Sequence, residues 1–159
     1  MFAIVKSGAI ESTGTLNQLF PNTSFPGGVA PDSFKAEEGL EDIVQGEQKN
    51  TTYYDVAAGD ISLVGGKPTQ TYTNTAKDLA TLKSERTARV KEQANEQLVP
   101  TDWMFTRLAE REVAIPDATT TYRAAVITEC TRLETAITNA ADVDALAVVM
   151  NSENWPDQT

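Results

Sequence analysis

Histidine is absent from all 159 residues. That absence removes Ser-His-Asp and Cys-His nucleophile arrangements and every imidazole metal site. Cysteine is nearly absent as well: Cys130 stands alone. No disulfide can form within one chain, which fits a reducing cytoplasm. One cysteine without histidine also excludes a structural zinc site in a single chain, and no cofactor motif is present. No apolar run reaches the roughly 18–20 residues that cross a bilayer. Basic residues are the minority, 13 against 23 acidic, for a net charge of −10. An isoelectric point near 4.4 argues against nucleic acid or an anionic membrane as partner, since both need a basic face. An acidic surface more commonly keeps a protein in solution. The opening Met1-Phe2-Ala3-Ile4-Val5 has no charged segment before it and meets Lys6 at once. It reads as a first strand, not a signal peptide.

What is there divides by composition near residue 75. Residues 1–75 read as a small β-rich docking domain. Ser7-Gly8 breaks the first apolar run and Ala9-Ile10 resumes it, as in a hairpin. Pro21, Pro26, Gly27-Gly28 and Pro31 punctuate an irregular stretch anchored by Leu16, Leu19, Phe20 and Phe25. Over residues 34–43 a short helix and an edge strand both fit, with Gly39 against the helix. Strand-forming residues over 50–56, 60–64 and 69–73, with Gly65-Gly66 between the last two, predict a three-stranded antiparallel meander.

Residues 76–159 read as a helical domain. From Ala76 to Glu96 there is no glycine or proline, and a long charged helix is predicted over 76–98. Leu79, Leu82, Arg86, Arg89 or Val90, Gln93 or Ala94, and Gln97 or Leu98 fall on one stripe, apolar at its ends and polar in the middle. Pro100 then predicts a stop, because it lacks an amide and biases Val99 away from helical dihedrals. Thr101 or Asp102 is the expected cap of a second helix over about 102–112, and Trp103 the ring expected to pin a helical hairpin at this corner. A third helix over 118–138, capped by Asp117 or Thr119, carries Tyr122, Val126, Cys130, Leu133 and Ile137 on one face. A closing helix over 142–150 has Asp142 as candidate cap. Trp155, so near the end, is expected to dock back on the bundle. The fold class expected is α+β.

No chemical constellation stands out. Gly65-Gly66-Lys67 precedes Pro68 and a strand, not the helix and Ser or Thr of a phosphate loop. Glu37, Glu38, Glu41 and Asp42 lack the alternation and glycine turn of a calcium loop and read as a solvated face. A glycan-cleaving pair of Glu37 with Asp55 or Asp60 would need a separation of roughly 5–10 Å that sequence cannot supply. The bottom-up reading is a non-catalytic protein that works by binding or assembly.

Several short motifs recur in order. They are Arg86 and Arg89, then Leu98-Val99-Pro100-Thr101-Asp102-Trp103, Ile115-Pro116, Tyr122-Arg123 and Trp155-Pro156. The first half adds Phe2-Ala3-Ile4-Val5-Lys6, Phe20-Pro21-Asn22-Thr23-Ser24-Phe25-Pro26 and Gly39-Leu40-Glu41-Asp42-Ile43. In this order they resemble the tail assembly chaperone-like and tail fibre assembly proteins of tailed bacteriophages. The resemblance implies a non-catalytic factor that binds a tail fibre or another tail or baseplate protein in the host cytoplasm during assembly. The alternative it leaves open is a virion component retained in the tail, as fibre tip, baseplate adaptor or decoration. It singles out Thr101, Asp102, Trp103, Tyr122, Arg123 and Trp155 as structural or partner-binding residues. The mixed polar seam of the long helix permits a homotrimer as readily as a solitary spacer.

Overall fold

The computed structural model describes residues 1–157. It is an α+β chain that divides into two compact units, Met1–Thr75 and Ala76–Thr159.

The first unit holds two small sheets. In the first, β1 (Phe2–Lys6) is flanked by β2 (Ala9–Gly14) and β3 (Leu40–Asp42), both antiparallel to it. Between β2 and β3 run α1 (Leu16–Leu19), a single 3₁₀ turn at Pro26–Gly28, and α2 (Asp32–Glu38). Leu16, Ala30 and Leu40 form the buried centre, with Phe20, Phe25 and Phe34 packed edge-to-face around it. Both readings of residues 34–43 occur in succession, because Gly39 ends α2 in the left-handed conformation at φ 66° and releases the chain into β3. A Cβ at Gly39 would collide with the Val5 carbonyl oxygen. Gly39→Ala is therefore expected to cost about 1–2 kcal/mol, from left-handed strain and that close approach together. Urea denaturation checks it, by a lower midpoint at unchanged slope.

The second sheet corrects the expected meander. Its order is β4-β6-β5, with β4 (Val44–Gln45) parallel to β6 (Lys67–Ala76) and β5 (Tyr54–Val64) on the other side. Thr51, Thr52 and Tyr53 are turn, not strand. The Asn50 carboxamide accepts the Thr52 N–H at 2.8 Å, and the Asn50 carbonyl accepts those of Tyr53 and Tyr54. A side chain that answers the backbone locally outweighs β propensity. Beyond it, β5 runs unbroken through Gly59-Asp60. Gly65 and Gly66 both have positive φ and turn β5 into β6.

In the second unit the largest departure is at Pro100. One helix, α3 (Leu79–Arg111), runs 33 residues with Pro100 inside it, so the stop and the corner are absent. Its first turn is capped by Asp78, whose carboxylate accepts the Thr81 N–H. The antiparallel partner α4 (Asp117–Asn139) starts at Pro116 with no side-chain cap, contrary to the expected roles of Asp117 and Thr119. Proline already holds the φ that a helix entry needs, and Asp117 falls in the first turn, where the helix dipole favours an anion. Closing the unit, α5 (Val143–Asn151) has the expected cap, Asp142 accepting the Ala145 N–H at 2.7 Å. Val90, Val126, Leu133, Ile137 and Leu146 are wholly buried and form the apolar centre of these three helices.

α4 carries an unusual number of threonines for a helix. Four of them, Thr128, Thr131, Thr135 and Thr138, donate their hydroxyls to the carbonyls of Ala124, Ile127, Thr131 and Glu134, one turn back. This pins the hydroxyls on the helix itself and leaves α4 intact despite a modest propensity.

Candidate functional site

The segment expected to form a corner is instead cross-linked to α4 within a continuous α3. Proline at 100 removes the amide that the Glu96 carbonyl would accept, and its ring crowds that carbonyl. The turn is held from outside. Arg123, one turn and a half into α4, places Nη1 2.7 Å from the Leu98 carbonyl, 2.6 Å from Thr101 Oγ1 and 2.8 Å from Asp102 Oδ1. Thr101 Oγ1 donates in turn to the Leu98 carbonyl at 2.9 Å. The flat face of the Arg123 guanidinium covers the Phe105 ring at 4.6 Å. Next to it, the Tyr122 hydroxyl donates to Gln97 Oε1 at 3.2 Å. Thr101 and Asp102 are thus not caps but the ends of a clamp between helices, and Thr101 is buried.

Trp103 lies outside that clamp. Its ring is 53% exposed and pins no helix pair, so the expected burial is corrected. The reason is angular: two residues beyond Thr101, it has rotated about 200° away from the buried face. Arg107, one turn on, stacks over the ring at 4.8 Å. Trp103→Ala is accordingly expected to cost less than about 1 kcal/mol, the worth of an exposed cation–π contact. A thermal melt within a few degrees of wild type is the check. Val99, Phe105, Leu108 and Val113 are also exposed large apolar residues, so the end of this helix carries apolar surface on more than one side.

A second cluster gathers at the end of the chain, around a residue that periodicity did not single out. Glu129 is only 8% exposed on α4. Arg132 donates to it twice, Nε to Oε2 and Nη2 to Oε1, each at 2.7 Å. The Asn154 N–H donates to Oε1 at 2.8 Å, and Arg132 Nη2 also donates to the Ser152 carbonyl. Hydrogen bonds from Arg132 hold the Glu129 carboxyl below the usual glutamate range, against the opposing effect of burial. The segment after α5 is thereby clipped to α4. Trp155 is half-buried there, its Nε1 donating to Glu153 Oε2 at 3.2 Å, which also accepts from Gln93. Spacing from Val126 and Leu133 admits 129 as readily as 130; the charge of glutamate hid it.

Cys130 is half-buried and its Sγ donates to Glu134 Oε1 at 3.3 Å. Burial, reinforced by that carboxylate, pushes the thiol up from its ordinary value, which disfavours the nucleophilic thiolate. In the first unit the acidic stretch is partly neutralised, Glu38 pairing with Lys6 and Asp42 with Lys35. Glu37 lies on α2, and Asp55 and Asp60 lie on β5. Among the described residues no group of three acidic or cysteine side chains is placed to hold a metal ion. No helix among them is long and apolar enough to cross a membrane. An open apolar depression of about 660 Å³ on α4 is lined by Ile127, Thr128, Thr131, Thr135 and Ala136, with Arg132 its one charged wall. The two polar clusters clamp helices and leave apolar surface beside them. No protein-family model matches the chain, and no curated protein or solved structure matches it.

Proposed function

We propose that this chain is a non-catalytic assembly factor of a phage tail, which binds the end of a tail fibre or another tail or baseplate protein in the host cytoplasm. The observation that supports this reading is the end of α3. There Trp103, on the segment that carries the resemblance, and Phe105, just beyond it, are 53% and 46% exposed on a helix braced by Arg123. Aromatic side chains held on a rigid element and left in water are the usual anchors of protein interfaces. Coexpression with candidate tail fibre and baseplate proteins tests the reading. The expected result is a higher soluble fibre yield and co-purification of the two chains. An unchanged yield with no co-purification would sink it.

Retention in the virion is the second reading, favoured by the 33-residue span of α3, which suits an adaptor. Mass spectrometry of purified particles separates the two. Stoichiometric copies select the virion component, and traces or none the assembly factor.

A further inference from the structure

The outer ridge of α3 has a chemistry of its own. Val99, Trp103, Arg107 and Arg111 are each four residues apart, so they form one continuous ridge. At 1.5 Å per residue the ridge is about 18 Å long. Val99 and Trp103 are about half exposed, and Arg111 is exposed at its far end. Arg107 leans toward the helix N-terminus, as helical side chains do, and lies on the Trp103 ring. That posture carries it away from Glu110, three residues on, and buries its Nε with no hydrogen-bond acceptor. Neither Arg107 nor Arg111 takes part in an ion pair among the described residues.

In a chain of net charge −10, Lys6, Lys35, Lys91, Arg123 and Arg132 are each matched to a carboxylate, whereas Lys67, Lys83 and Arg89 enter no ion pair among the described residues. What sets Arg107 and Arg111 apart is their place on one ridge. Here the acidic neighbours Glu110 and Glu112 leave both guanidinium groups unmatched, one turn apart, beside an exposed tryptophan. We infer that the Val99–Arg111 ridge docks a helix of another protein that carries two carboxylates one turn apart next to an apolar residue. The carboxylates would meet Arg107 and Arg111, and the apolar residue would cover Val99 and Trp103. A helix suits because its own i, i+4 spacing of about 6 Å reproduces the spacing of the arginines. A second copy suits poorly: a parallel pair would bring four arginines together, and an antiparallel pair would set them against Trp103 and Val99, in both cases without a carboxylate. This inference rests on the reading of the α3 end as a partner surface and names the chemistry of that partner.

The test is selection of a displayed random-peptide library on the full chain, followed by affinity measurement on variants. The expected outcome is enriched peptides with two acidic residues four apart beside Leu, Phe or Trp. Their binding should weaken about tenfold or more on Arg107→Glu with Arg111→Glu, and on Trp103→Ala, and should fall with salt. Circular dichroism confirms folding; if the double variant melts early, Arg111→Gln alone, at an exposed position, serves in its place. Peptides that lack acidic residues, that bind the variants equally, or that fail to enrich at all would each overturn the ridge. So would a wild-type dimer that Trp103→Ala dissociates. The two proposals fail separately. Fibre co-purification that survives Trp103→Ala with Arg111→Gln removes the ridge and keeps the assembly reading. Acidic-peptide binding without fibre co-purification does the reverse.

Discussion

Arg123→Met is expected to destabilise the helical unit by about 2–4 kcal/mol, near the lower part of the range for breaking a buried charged pair. The lower end applies because Asp102 is 56% exposed and water can answer it, whereas the Arg123 side chain is only 15% exposed. Methionine keeps most of the stem volume, so the loss isolates the head group. That head serves the Leu98 carbonyl, the Thr101 hydroxyl and the Phe105 ring as well as Asp102. For a unit of this size the loss corresponds to a fall of roughly 10–25 °C in melting temperature. Lysine at 123 restores only a minor part, because a point charge on a flexible stem cannot stack on Phe105 while reaching three oxygens. Hydrogen exchange localises the effect. Amides after Pro100 should lose more protection than those between Leu79 and Ala94. Equal loss along the whole of α3 would mean that Arg123 stabilises the unit generally and not the turn around the proline.

Glu129→Ala is expected to cost about 1–2 kcal/mol, since the Asn154 N–H loses its acceptor while the Arg132 side chain, 45% exposed, is answered by water. The loss should be accompanied by release of the chain end, seen as a red shift of Trp155 emission in a Trp103→Phe background. The same carboxylate gives stability a defined dependence on pH. In the unfolded chain it titrates near the ordinary glutamate value of about 4.3. In the folded chain it is held lower, chiefly by hydrogen bonds from Arg132. The stabilisation is therefore complete above the unfolded value and is lost as pH falls through the folded one. Asp78, lowered by its hydrogen bonds to Thr81, acts in the same direction. Urea midpoints at pH 7, 5, 4 and 3 should fall with acid in the wild type and fall less steeply in Glu129→Gln. Parallel curves would show that Glu129 carries none of the dependence.

How much of this was legible in the sequence depends on whether a local rule met a distant answer. α4 was readable because Val126, Leu133 and Ile137 repeat on one face, and nothing else in the chain contradicts them. The Asp142 cap and the Gly65-Gly66 turn were readable because each is settled within four residues. Pro100 was misread because the rule for proline is local, while the groups that hold its turn belong to α4, more than twenty residues away. A longer window carried the correct signal. Val90, Ala94, Thr101 and Leu108 keep one helical phase across the proline. Glu129 was missed because a charged side chain on an apolar stripe is ordinarily turned outward. Its partner Asn154, and Ser152, whose carbonyl accepts from Arg132, are reached only when the chain end folds back. Of the residues singled out by resemblance, Thr101, Asp102 and Arg123 join one clamp, Tyr122 bonds beside it, Trp103 stands outside it, and Trp155 belongs to the second cluster.

The threonines of α4 bear on hydration. A carbonyl on the outer side of a helix normally tilts toward solvent and holds a water molecule. At Ala124, Ile127, Thr131 and Glu134 a hydroxyl one turn ahead already supplies that donor. The oxygens of Thr128, Thr131, Thr135 and Thr138 are thus turned onto the backbone, and the first three line one depression with the exposed Ile127. This flank of α4 holds water less tightly than four threonines would suggest, and a hydropathy average that scores them as polar understates how dry it is.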